Sequence, residues 1–171
     1  MERHLTFATI LFACLFAQGV SAQDNGVRIF AQTSGAVAWV ETISADSLHR
    51  SRSSGVVLKH RKWLLTTFHG YQHGGVISAR VGATSLLLGK VITADKEMDL
   101  VVMEIVSSIP HTAWAGVPDL ATLTSDAIEP GADVYAIGNP NGAELTISYG
   151  LASGLRPFGV TGRKLLQFSA P

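Results

Sequence analysis

His69 closes the run Trp63-Leu64-Leu65-Thr66-Thr67-Phe68-His69-Gly70, where an apolar, strand-like segment meets a glycine. Asp99 stands at the mouth of a second apolar run, Leu100-Val101-Val102-Met103-Glu104-Ile105. An imidazole is the side chain that most readily takes up and returns a proton near neutral pH. A carboxylate beside it can fix the ring's orientation and stabilise its protonated form, as the acid of a Ser-His-Asp triad does. Spacing alone leaves two readings open: a base with its orienting acid, or two turn residues at a sheet margin. His69 and His73 also form an H-x3-H pair that could grip a metal on a helix, but no third ligand is evident, so no metal site is expected. Asp95 could belong to the same site, although its place at a turn favours a backbone cap.

The elements that must position these residues are strands. Ala36–Ile43 is rich in β-branched and aromatic residues. Further strands are expected over Gly55–Leu58, Trp63–Thr67, Val76–Val81, Ser85–Thr93, Leu100–Val106, Val134–Ile137, Leu145–Leu155 and Lys164–Phe168. The polar stretch Ser44–Ser54 reads as a hairpin loop in which Arg50 and Arg52 are solvated, and Pro110–Pro118 as a loop. Pro130-Gly131 suits the central positions of a type II turn. Asn139-Pro140-Asn141-Gly142 carries an Asn-Gly turn signal and is read as structural. Val27–Gln32 is a short helix or an irregular lead-in. Short strands between turn signals predict an all-β barrel or sandwich. Trp39, Trp63 and Trp114 either pack at barrel ends or line a groove.

Bulk properties remove several function classes. The chain has 171 residues, 47% of them hydrophobic and 15% charged, which gives one domain or a little more with a sizeable core. Lys plus Arg and Asp plus Glu are balanced at 13 each, so no overall field draws the protein to nucleic acid or to anionic membrane. Residues 1–22 read as an export signal: an apolar stretch from Leu5 to Ala17, then the small-residue pattern Val20-Ser21-Ala22. The run is short for a membrane span. A retained anchor, or a lipoprotein signal cleaved before Cys14, is the alternative. Cys14 is the single cysteine, so a chain beginning at Gln23 has no disulfide, no thiol chemistry and no cysteine metal site. Residues 23–35 then form a lead-in, and the destination is periplasmic or extracellular.

Five segments in one order resemble trypsin-like serine proteases, particularly the bacterial HtrA/Deg type. They are Ser54-Gly55-Val56-Val57-Leu58, Leu64 to His69, Asp95 to Val102, Ala136-Ile137-Gly138-Asn139-Pro140-Asn141-Gly142, and Leu145 to Gly154. The resemblance runs from Ala36 to the last residue. It implies a trypsin-like double β-barrel over 36–171, with the first barrel complete at about 36–107 and the second incomplete at about 130–171. It further implies that His69 is the general base and Asp99 its orienting acid, facing the cleft between barrels. Polypeptide substrates and no cofactor are expected, with a homo-oligomer allowed. Ser53, Thr67-Phe68 and Gly70-Tyr71 depart from the family's usual residues around these motifs. No Gly-x-Ser-Gly-Gly segment is present, and neither Ser153 nor Ser169 falls where the family's nucleophile would. On this reading the chain stops just before its nucleophile and is inactive by itself. The alternative is a non-catalytic barrel that binds peptides or partners by strand addition.

Overall fold

Alternation along the strands decides which side chains enter the core. In β1 (Val37–Ile43), β3 (Trp63–Thr67) and β7 (Leu100–Ile105) every second residue is buried, the period of a sheet with one face covered. Those buried positions, with others from β2 (Arg50–Leu58), β4 (Val76–Val81) and β5 (Thr84–Leu86), bring Ala38, Val40, Val57, Leu64, Ala79, Leu86 and Ile105 into one cluster. The structure is a computed structural model that describes residues 19–58, 62–72, 75–106, 128–139, 144–159 and 162–171, with the backbone alone for 19–24.

Seven strands form the first sheet in the order β5-β4-β1-β2-β3-β7-β6, where β6 is Leu88–Asp95, and all its pairings are antiparallel. The two outermost strands, β5 and β6, are consecutive in the chain and joined by Leu87 alone. In a flat sheet they would lie about 29 Å apart, at roughly 4.8 Å per strand spacing. A single linking residue spans at most about 7 Å. The sheet is therefore rolled into a barrel whose edges meet at Leu87, and the backbone N–H of Val106 donates to the Leu87 carbonyl there (2.9 Å).

A second, three-stranded antiparallel sheet holds β8 (Asp133–Gly138), β9 (Thr146–Phe158) and β10 (Arg163–Phe168), with β9 in the middle. It is entered through the expected turn: Ala132 N–H donates to the Glu129 carbonyl (3.1 Å) across Pro130-Gly131, and Gly131 has φ +89°. That positive φ is what a type II turn requires at its third position. This sheet buries little. Ile147, Tyr149, Leu151, Leu165 and Phe168 are all exposed, and Ala152 is its one buried apolar residue among those described.

The mostly-β architecture is as expected, with local differences. Arg50–Ser54 belongs to β2 and not to a loop, because its backbone pairs with β1 from Ile43 to Trp39, while the exposed Arg52 and Arg50 reach Glu41 across the pair (3.1 and 3.6 Å). The expected Ser85–Thr93 strand breaks at Leu87, the barrel corner. Val27–Gln32 lies inside a longer helix, α1 (Gly19–Thr33). Trp39 is half-buried at the sheet's flank, with the Arg80 guanidinium 4.8 Å over its ring, and Trp63 is half-buried. No helix among the described residues is long and apolar enough to cross a membrane. Cys14, His73, Trp114, the Pro110–Pro118 loop and Pro140-Asn141-Gly142 lie outside the described residues.

The uneven burial sets a contrast in stability. Leu64 is fully buried, so Leu64→Ala is expected to cost about 2–5 kcal/mol. Leu165 is 38% exposed, and Leu165→Ala is expected to cost less than about 1 kcal/mol. Urea unfolding of both variants at neutral pH measures the difference.

Candidate active site

The register of β3 against β7 decides which residues meet. Thr67 pairs with Leu100 in this antiparallel ladder, so the residues just after Thr67 face the residue just before Leu100. Phe68 and His69 open a short helix, α2 (Phe68–Tyr71), and Asp99 ends the turn between β6 and β7. The first N–H groups of a helix have no partner within it. Thr67, at the N-cap position, offers no side-chain cap, and its hydroxyl oxygen is buried without a partner. Asp99 caps the helix from outside. Its carbonyl accepts from Phe68 N–H (3.1 Å) and its Oδ1 accepts from His69 N–H (2.7 Å).

The second carboxylate oxygen reaches the ring. Asp99 Oδ2 lies 2.7 Å from His69 Nδ1. An ionised carboxylate only accepts, so Nδ1 carries the proton of this bond. The neutral imidazole then has its lone pair on Nε2, which has no partner among the described residues. His69 is 61% exposed and Asp99 46% exposed, so the pair lies at the surface. Backbone and ring hydrogen bonds from His69 hold the Asp99 carboxyl below its ordinary value of 3.8.

Asp99 occupies a conformation that costs most residues energy. Its φ is +54°, in the left-handed region that Asp and Asn tolerate better than other non-glycine residues. Its own N–H makes only a long bond to the Lys96 carbonyl (3.4 Å). Asp95 supports the turn as the expected cap, its Oδ1 accepting from Met98 N–H (2.9 Å). It also does something that spacing does not disclose: its Oδ2 accepts from Arg163 Nη1 of β10 (2.5 Å).

The family departures fit one another. Gly70 is buried, and a Cβ there would come within 3.3 Å of Thr67 Oγ1, 3.4 Å of Ser51 Oγ and 3.5 Å of Ser53 Oγ. Glycine behind the histidine leaves room for a serine at position 53, whose hydroxyl lies 3.2 Å from that of Thr66. A second tie between the sheets involves Ser54, whose Oγ accepts from Asn139 N–H (2.7 Å). Ser153 is exposed on β9. Ser169 Oγ accepts from Leu151 N–H (2.9 Å) and extends the β9–β10 pairing. Neither bonds to His69, and no group of three or more potential metal ligands occurs among the described residues.

A rolled antiparallel sheet with an imidazole–carboxylate pair at one strand end, tied to a second sheet, is the arrangement of the trypsin-like class. The family model for the trypsin-like peptidase domain matches residues 53–171, and the chain belongs to that family. Among curated relatives it is 29% identical over 115 residues to "Probable periplasmic serine endoprotease DegP-like" of Marinomonas sp. (strain MWYL1), covering 67% of this chain and 22% of the relative. It is 29% identical over 125 residues to "Magnetosome formation protease MamE" of Paramagnetospirillum magneticum, covering 68% of this chain and 16% of the relative. The chain thus spans less than a quarter of the length of either. Solved structures share the fold. Deg5 superposes with a TM-score of 0.68 at 24% identity, over 88% of this chain and 75% of that one. The HtrA-type protease AlgW with a tripeptide gives 0.64 at 24% identity, over 80% and 42%.

Asp99 thus serves as helix cap and ring partner together. Asp99→Asn keeps an acceptor oxygen and tolerates the positive φ, whereas Asp99→Ala keeps neither. The alanine variant is expected to lose about 0.5–2 kcal/mol at neutral pH, the usual cost of a lost cap, and the asparagine variant less. A carboxyl whose folded pKa is depressed contributes stability above its unfolded value of 3.8, and that contribution is lost as pH falls through the lower folded value. Denaturation from pH 7 into acid should therefore show a component in the wild type, below the ordinary carboxylate range, that Asp99→Asn lacks.

Proposed function

We propose that this chain carries the base and acid of a serine endopeptidase, with His69 as general base and Asp99 as its orienting carboxylate. The observation that supports this best is the 2.7 Å bond between His69 Nδ1 and Asp99 Oδ2 on a largely exposed imidazole. His69 Nε2 takes the proton of a serine hydroxyl as its oxygen attacks a peptide carbonyl carbon. The same proton then passes to the leaving amine as the C–N bond breaks, and Asp99 stays ionised throughout. The acyl-enzyme is hydrolysed by water activated in the same way.

This reading also requires a nucleophilic serine and an oxyanion hole, and no Gly-x-Ser-Gly-Gly segment lies within the 171 residues. Polypeptide is the substrate class, in keeping with the tripeptide in AlgW's description and with the protease descriptions of the curated relatives. Residues 1–22 direct export, in keeping with the periplasmic description of the Marinomonas relative, and 36–171 form the peptidase domain, in keeping with the family match over 53–171.

The full-length gene product, incubated with unfolded casein, tests this. Wild type should cleave. His69→Ala should lose on the order of 10⁴–10⁶-fold in rate, as removal of a triad member does elsewhere. Asp99→Asn should lose roughly 10⁴-fold through the wrong imidazole tautomer. A His69→Ala protein that cleaves at the wild-type rate would refute the assignment.

A further inference from the structure

The hairpin between β9 and β10 reaches across to the turn that carries Asp99, and it does so at two places. Arg163, the first residue of β10, donates from Nη1 to Asp95 Oδ2 (2.5 Å). Gly159, just beyond β9, has φ +64°, and a Cβ there would stand 2.0 Å from Glu97 Oε1. The tip of the hairpin therefore touches Asp95 and Glu97, on the stretch of chain that leads into Asp99. Asp95 stands between them: one oxygen holds Arg163, the other accepts from Met98 N–H at 2.9 Å. Met98 precedes Asp99, whose left-handed φ and long 3.4 Å bond to Lys96 leave the turn weakly closed from within.

We propose that Arg163 is a positioning residue: by fixing Asp95 it sets the Lys96–Asp99 turn and so the alignment of the Asp99 carboxylate with His69. The proposal rests on the reading of these two residues as acid and base. It makes the β9–β10 hairpin of the second sheet a determinant of base geometry in the first. An exposed ion pair contributes little to global stability, so its loss should appear in the dyad and leave unfolding nearly unchanged. The charged groups around this line of contacts are His69 beside Asp99, Arg163 beside Asp95, and Asp95 and Glu97 around Arg163.

The Asp99 carboxyl carbon and the His69 Nδ1–H proton, followed by NMR in the 171-residue chain, give a readout that needs no substrate. In Arg163→Met the Nδ1–H resonance should weaken through faster exchange, and the Asp99 midpoint should rise toward 3.8. Arg163→Lys, which restores a donor, should recover part of both. Asp95→Ala separates positioning from a through-space field. It removes a negative charge, which acting through space would lower the Asp99 midpoint further, whereas loss of positioning raises it. A rise in both variants supports the proposal. An unchanged Nδ1–H resonance in Arg163→Met, or a fall of the midpoint in Asp95→Ala, overturns it. Because no turnover is involved, a failed casein assay would remove the endopeptidase reading and leave this coupling to stand or fall by itself.

Discussion

One carboxylate holds this site together. Asp99 satisfies the two N–H groups at the start of α2 that no neighbouring residue caps, and with its remaining oxygen it holds the imidazole that α2 presents. Capping and orientation use different oxygens of one residue, so the Asp99 that caps the helix is also placed to hold the His69 ring. Nothing in α2 itself would suffice: four residues supply almost no internal hydrogen bonding. The ladder of β3 on β7 brings the partner into range, and the rolled sheet makes both strands rigid beneath it.

The first sheet supplies that rigidity from its core, whereas the second sheet presents much of its apolar surface to solvent. The two are tied close to the dyad. Ser54 receives the Asn139 N–H one residue before Gly55, where a Cβ would meet the Leu64 side chain at 2.8 Å and the Leu65 carbonyl at 3.2 Å. Arg163 reaches the Asp95 carboxylate at the other side. Strand pairing, core packing and inter-sheet polar bonds thus converge on the rim where His69 stands.

Much of this was legible in the residues. The strands Trp63–Thr67 and Val76–Val81 begin and end where alternation and flanking turn residues put them, because a one-sided sheet imposes a period of two. The adjacency of His69 and Asp99 was expected from the family resemblance, since strand pattern and spacing by themselves left two readings open. Other features are hidden for physical reasons. The start of β2 is Arg-Ser-Arg-Ser, a composition of loops, and becomes strand because its backbone continues the ladder with β1, with Glu41 opposite Arg52. The triple leucine at 86–88 masks a corner that only barrel closure demands. The cap on α2 and the Arg163–Asp95 contact join residues far apart in the chain, and local pattern carries no trace of either.

The central claim is that the Asp99-held imidazole serves as base to a serine. Labelling of the full-length protein with a fluorophosphonate, read by intact mass and peptide mapping, addresses it most directly. The account predicts one modified serine in the wild type and almost none when His69 is alanine. Equal labelling in both proteins, or no serine labelled in a folded wild type, would contradict it.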